Sequence, residues 1–155
     1  MKKSIILIIT LLSLGGFAGI GISAEQEQIV IEDLSRSELR DQIEIVQNEV
    51  YRVFNTMNDN DDFDIICHRY TPTGSNISRK ACEPQFVIDK RADNVKESRN
   101  ENDTLMDHDA LMASLQPQLA ELTEKMNAVA VESQYFRELN QVLGMLNDRL
   151  EEITN

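Results

Sequence analysis

Glycine is almost missing from this chain once its first two dozen residues are passed. Of six glycines, four fall between residues 15 and 21, and only Gly74 and Gly144 lie beyond. That poverty excludes a glycine-rich phosphate loop. It also argues against a β-sandwich or barrel, whose many tight turns call for residues free to take positive φ. Positive charge is short as well: 15 Lys and Arg stand against 27 Asp and Glu, a formal net charge of −12. No basic patch with interleaved aromatics is visible along the chain, so no nucleic acid is expected as a partner. Anionic lipid surfaces should repel it too. Histidine occurs only as His68 and His108, and cysteine only as Cys67 and Cys82. Chemistry that needs an imidazole or a thiol must be built from these four side chains, although carboxylates are plentiful.

What is present begins with a long apolar run. Lys2 and Lys3 precede residues 5–22, and Ile22-Ser23-Ala24 leads into Glu25. A basic start, an apolar core and small residues at the end read as a secretory signal peptide over 1–24, cleaved after Ala24 or, as second choice, after Ala18. An uncleaved anchor is the alternative and the only expected attachment to a membrane. The glycines weaken the second half of the run, and no basic stop-transfer cluster follows. No cysteine lies near the cleavage region, which excludes a lipid-modified N-terminal cysteine. Cleavage removes the two lysines and takes the net charge from −12 to about −14. Two cysteines in an exported chain are an even count in an oxidising compartment, and so favour a Cys67–Cys82 disulfide.

The expected organisation is a mainly α chain of α+β type: amphipathic helices plus a small disulfide-stapled β-hairpin. Residues 25–89 carry a short strand at Ile29-Val30-Ile31, a helix and the hairpin. Ser35 with Glu38 fits a capping box, and Leu39, Ile43, Val46, Val50, Val53 and Met57 form one helical stripe ending near Asn58. Ile45, Tyr51 and Phe54 widen that stripe toward a globular core. Residues 90–103, nearly devoid of apolar side chains, read as a polar linker. Residues 104–155 are helical, with Thr104 and Asp107 as a weaker capping box. Pro117 either kinks a helix or starts a new one, and Ser133 is placed to cap a last helix carrying Phe136, Leu139, Leu143, Leu146, Leu150 and Ile153.

The segment from Asn58 to Pro84 holds both cysteines and the densest acidic run. Asn58, Asp59, Asn60, Asp61, Asp62 and Asp64 offer hard oxygen ligands, yet a calcium loop needs glycine at its sixth position and glutamate at its twelfth. Counting from Asn58 gives Phe63 and Arg69; counting from Asp59 gives Asp64 and Tyr70. Both registers fail, and the run reads as the cover of a helix end. For zinc, Cys67, His68, Cys82 and His108 lack the close ligand pairs of zinc modules. Cys67 and His68, adjacent on a strand, would point to opposite faces, which also disposes of a nucleophile–base dyad. No catalytic, metal-binding or cofactor-binding residues are expected.

The remaining reading is a staple. Residues 63–70 suit a strand, Pro72-Thr73-Gly74-Ser75 a turn with Gly74 in a type II′ position, and residues 77–82 a returning strand. Folding about the Gly74–Ser75 bond puts Cys67 opposite Cys82. A two-residue loop would leave them on a hydrogen-bonded pair, with side chains farther apart than at the neighbouring pair; a longer loop would shift this.

Residues 63–67 (FDIIC), then Pro72 to Ser75 with Ile77, then residues 79–84 (RKACEP) resemble a family of small exported proteobacterial proteins without an assigned function. The resemblance covers roughly residues 28–86. It implies export to the periplasm or beyond in a Gram-negative bacterium, and a disulfide; it implies no activity. Glu83 departs from it, standing where a basic residue is expected, which weakens any positive patch beside the cysteines.

The function expected from all this is a non-catalytic cell-envelope module that binds or adapts an unknown envelope protein. Leu143 and Leu146 are candidate contacts if the helical stripes are not simply core. The alternatives are self-association through the C-terminal helices or, behind that, binding of a divalent metal through the acidic run and His68.

Overall fold

The computed structural model describes residues 30–100 and 104–154. The expected signal segment 1–24 lies outside the described residues. The first helix, α1 (Arg36–Met57), starts where its chemistry dictates. Ser35 Oγ accepts the Glu38 N–H at 3.3 Å and Glu38 Oε2 accepts the Ser35 N–H at 2.8 Å, closing the capping box. The helix buries Leu39, Val50, Val53 and Phe54, whereas Ile45, expected on that stripe, is exposed.

Upstream, Ile31–Asp33 forms a 3-10 turn where a strand was expected over 29–31; Ile29 lies outside the described residues. A three-residue β-branched run cannot hold a strand without a neighbour to pair with. Here Arg149 takes the Glu32 carbonyl at 3.0 Å instead.

After α1, Asn58 and Asn60 shape a tight connection. Asn60 Oδ1 accepts the Asp62 N–H at 3.0 Å and Asn58 Nδ2 donates to Asp64 Oδ1 at 3.1 Å. Phe63 belongs to a 3-10 turn (Asp61–Phe63), not to the strand expected to begin with it. The hairpin consists of β1 (Ile65–Tyr70) and β2 (Arg79–Pro84), antiparallel, with Cys67 opposite Cys82. The return strand thus starts two residues later than expected, and the loop is longer than a two-residue turn. Ser75 N–H donates to the Pro72 carbonyl at 3.0 Å and Gly74 has φ of 79°. That places glycine at the third position of a type II turn, correcting the type II′ expectation.

The hydrogen-bonding phase of the ladder changes with the loop. Gln85 N–H donates to the Asp64 carbonyl at 2.9 Å, so bonded pairs alternate through Ile66–Glu83 and leave Cys67–Cys82 between bonds. The two Cα atoms are 4.0 Å apart, the close approach of a non-hydrogen-bonded pair. Pro84 faces Ile65 in the same phase, so its missing N–H removes no ladder bond.

Residues 90–103 are not a linker as far as they are described. The helix α2 (Gln85–Asn100) runs through them. Nothing in 85–100 breaks a helix, as neither proline nor glycine occurs there. Polar pairs support it: Gln85 with Asp89 at 2.9 Å and Lys96 with Asp93 at 3.0 Å. Next, α3 (His108–Ser114) is capped by Asp107, whose Oδ1 accepts the Ala110 N–H at 2.8 Å, in place of the expected box at Thr104. Pro117 lies in the first turn of α4 (Gln116–Glu132), so a new helix starts there. Ser133 caps α5 (Gln134–Glu152), accepting the Phe136 N–H at 3.1 Å.

The helices α1 and α5 run antiparallel. Arg36 reaches the Ile153 carbonyl at 2.8 Å, and near the other end Tyr135 Oη donates to Glu49 Oε1 at 3.0 Å. Their inner faces, with Leu122 and Val129 of α4, enclose the main core, which also takes in Phe63, Ile65 and Cys82. A smaller cluster of Val87, Leu111 and Leu115 sits between α2 and α3, and Phe86 packs against both clusters. Among the described residues no helix is long and apolar enough to cross a membrane.

Candidate functional site

The hairpin is the part of the molecule where chemistry-bearing residues were expected, and the structure sorts them by strand geometry. Ile65, Cys67 and Arg69 lie on one face with Cys82 and Lys80; Ile66, His68 and Tyr70 lie on the other with Ala81 and Arg79. The Cys67–Cys82 disulfide is formed and consumes both thiols. His68 is on the opposite face from the sulfurs, its ring 6.4 Å from that of Tyr70. Among the described residues no group of three His, Cys, Asp or Glu side chains is placed to hold a metal ion.

The acidic run is dispersed by its own turn. Asp59 is turned to Lys125 of α4 at 2.8 Å, and Asp64 is held by Asn58. Lys125 also stands 5.2 Å over the Phe63 ring. The Lys125 hydrogen bond draws the Asp59 carboxyl below its usual range.

Glu83 is paired with Arg91 of α2 at 2.8 Å. That hydrogen bond lowers its carboxyl pKa against the opposing effect of burial, and charge on His68 and on His108 acts in the same downward direction. Its other oxygen, Oε2, is buried without a hydrogen-bond partner. The acid beside the second cysteine is thereby neutralised by its neighbour.

Besides the Glu83–Arg91 pair and the partly buried Cys82, two polar contacts fix the hairpin on α1, and neither was visible in the sequence. Lys80 reaches from β2 to Glu44 at 3.0 Å and to Asn48 on α1. Asn55 of α1 holds the backbone of Ile65 from both sides, donating to its carbonyl at 3.0 Å and accepting its N–H at 2.9 Å. Asn94 of α2 treats Met106 identically, at 2.9 and 3.0 Å, and is itself only 7 % exposed.

At the far end the hairpin is basic and apolar. Between Ile65 and Cys82 the chain has Arg69, Arg79 and Lys80 and no acid. Lys80 is engaged by α1, while Arg69 and Arg79 are exposed. Ile77 is 69 % and Tyr70 43 % exposed. The two arginines stand ten positions apart in sequence, so a scan for a basic run passes over them; the missing acids between them are the signal that marks the segment.

Leu143 and Leu146, named above as candidate contacts, face inward. Leu146 is 2 % exposed and Leu143 packs against the main core. Comparison with protein-family models, with curated proteins and with solved structures found no match.

Proposed function

We propose that this is an exported, non-catalytic binding or adaptor module of the cell envelope, acting by protein contact. The carrying observation is the stapled hairpin: a covalently closed, helix-braced element that leaves Tyr70 and Ile77 exposed at its end. The core takes the helical stripes for itself, so a partner's contact is assigned to the hairpin and not to Leu143 or Leu146. Export is supported by the basic-then-apolar N-terminal sequence and by the disulfide, which persists in an oxidising compartment. Membership of the exported two-cysteine family rests on the hairpin residues quoted above.

The test is in-cell cross-linking of the tagged protein followed by mass identification of what is captured. One dominant envelope protein supports the reading. Capture of the chain's own copies alone transfers it to a self-associating structural protein, and capture of nothing removes it.

A further inference from the structure

We propose that the tip of the hairpin docks an extended acidic segment of a partner protein, with Arg69 and Arg79 holding its carboxylates and Tyr70 and Ile77 seating its apolar side chains. This rests on the protein-contact reading above and names the surface and the chemistry of what it takes. Charge complementarity is the first support. The acid-free stretch with three basic residues belongs to a chain of net charge −12, so it is a local reversal of sign. Arg69 and Arg79 engage no partner among the described residues, leaving both planar guanidinium groups free for bidentate carboxylate binding. Tyrosine and arginine are also the side chains that dominate interface energetics.

Rigidity is the second support. The Pro72–Ser75 turn, the Ser75 Oγ that accepts the Ile77 N–H at 3.0 Å, the disulfide and the Lys80–Glu44 pair hold the tip before anything binds. A preformed surface loses little conformational entropy on association. The third support is the open edge of β1. The ladder phase turns the backbone N–H and carbonyl groups of Cys67 and Arg69 outward, as it does those of Ile65. Asn55 occupies the Ile65 pair, but no side chain among the described residues bonds the backbone of Cys67 or Arg69. An extended segment can take those groups as an added strand.

An anionic bilayer is the weaker fit. It presents a plane of negative charge to the whole acidic molecule, whereas a narrow segment meets only the tip, and exposed charges are screened beyond about 8 Å at physiological salt.

The probe is an end-capped fluorescent peptide of Glu-Glu and Val-Val pairs, long enough to lie along β1. Carboxylates then project from both of its faces toward Arg69 and Arg79, which lie on opposite faces of the hairpin. A matching Lys and Val peptide is the control. Anisotropy is read against the full oxidised protein. The acidic peptide should bind, more weakly as salt rises, and the control should not. The double variant Arg69→Glu, Arg79→Glu, both exposed positions, should weaken binding at least about tenfold with helical content and the disulfide unchanged. Ile77→Ser should weaken it without altering the salt dependence.

Binding indifferent to the two arginines, or no binding at millimolar peptide, overturns the proposal. So does arginine-dependent binding to phosphatidylcholine vesicles with about one-third phosphatidylglycerol but not to the peptide. Arginine-dependent self-association in light scattering, without peptide binding, makes a second copy the occupant and overturns it likewise. If a cross-linked envelope partner persists in the double variant, the surface is wrong while the adaptor reading stands. If the peptide binds as expected and no partner is captured in cells, the adaptor reading fails alone.

Discussion

Asn55 and Asn94 each stand in for a strand edge, giving Nδ2–H to a carbonyl and taking the N–H of the same residue ten or twelve positions on. An amide side chain has one acceptor and two donors in a plane, so it can satisfy both backbone groups of a residue at once. Alanine at either position leaves two part-buried backbone groups unpaired and should cost about 1–3 kcal/mol, read as a fall in urea midpoint at unchanged slope. Asn94→Asp should cost more than Asn94→Ala at neutral pH, because a carboxylate then faces the Met106 carbonyl; an equal loss would mean that Met106 relaxes away. Glu83 sets a pH dependence of opposite sense. Its folded pKa is held low chiefly by Arg91, so its contribution is complete above the ordinary glutamate value and fades as pH falls through the lower folded value. Glu83→Gln should flatten that part of the acid limb in a denaturation series; an unaltered limb would show the Arg91 pair to be inert.

Elements differed in how plainly the sequence announced them. The α1 capping box, the Ser133 cap and the Cys67–Cys82 pairing were legible because each depends on residues a few positions apart or on symmetry about one turn. The α2 helix was not. Among its described side chains it buries only Val87 and Asn94, so it shows no apolar period, and its support is polar pairing and contact with the hairpin and α3. The ladder phase was hidden for another reason, since it depends on loop length, and Pro72 to Ser75 close a turn inside a wider loop. The arginines of the candidate surface share that difficulty, because only the hairpin brings them to one end. Removal of the staple is therefore an element-scale test. Replacing Cys67 and Cys82 together by Ser opens a loop of 15 residues and should lower stability by about 3 kcal/mol. Amide exchange should accelerate first in β1 and β2, with helical circular dichroism retained. Loss of the helices at the same denaturant concentration as the hairpin would mean that the staple holds the whole fold.

For the molecule as a whole, the decisive residue is Phe86. Its ring lies 5.5 Å from Phe63, tilted by 60°, and it packs on the main core and on the Val87, Leu111 and Leu115 cluster. The α1–α5 pair is held by its own apolar faces and by contacts at both ends, so it can persist without α3. The small cluster has three buried residues and the Asn94 clamp, too little to be stable alone. Stability should therefore pass from the main core to α2 and α3 through Phe86. Phe86→Ala removes a half-buried ring and should cost about 2–3 kcal/mol, below the range for a fully buried phenylalanine. Its exchange signature should be lost protection at Leu111 and Leu115, with a smaller loss at Val50 and Phe54. Leu115→Ala should strip protection from α3 and at most the first turn of α4, whose Leu119 N–H donates to the Leu115 carbonyl, since the buried Leu115 side chain belongs to the small cluster and not to the main core. If Leu115→Ala lowers protection in α1 as much as in α3, the two clusters unfold as one unit and Phe86 is not the joint between them.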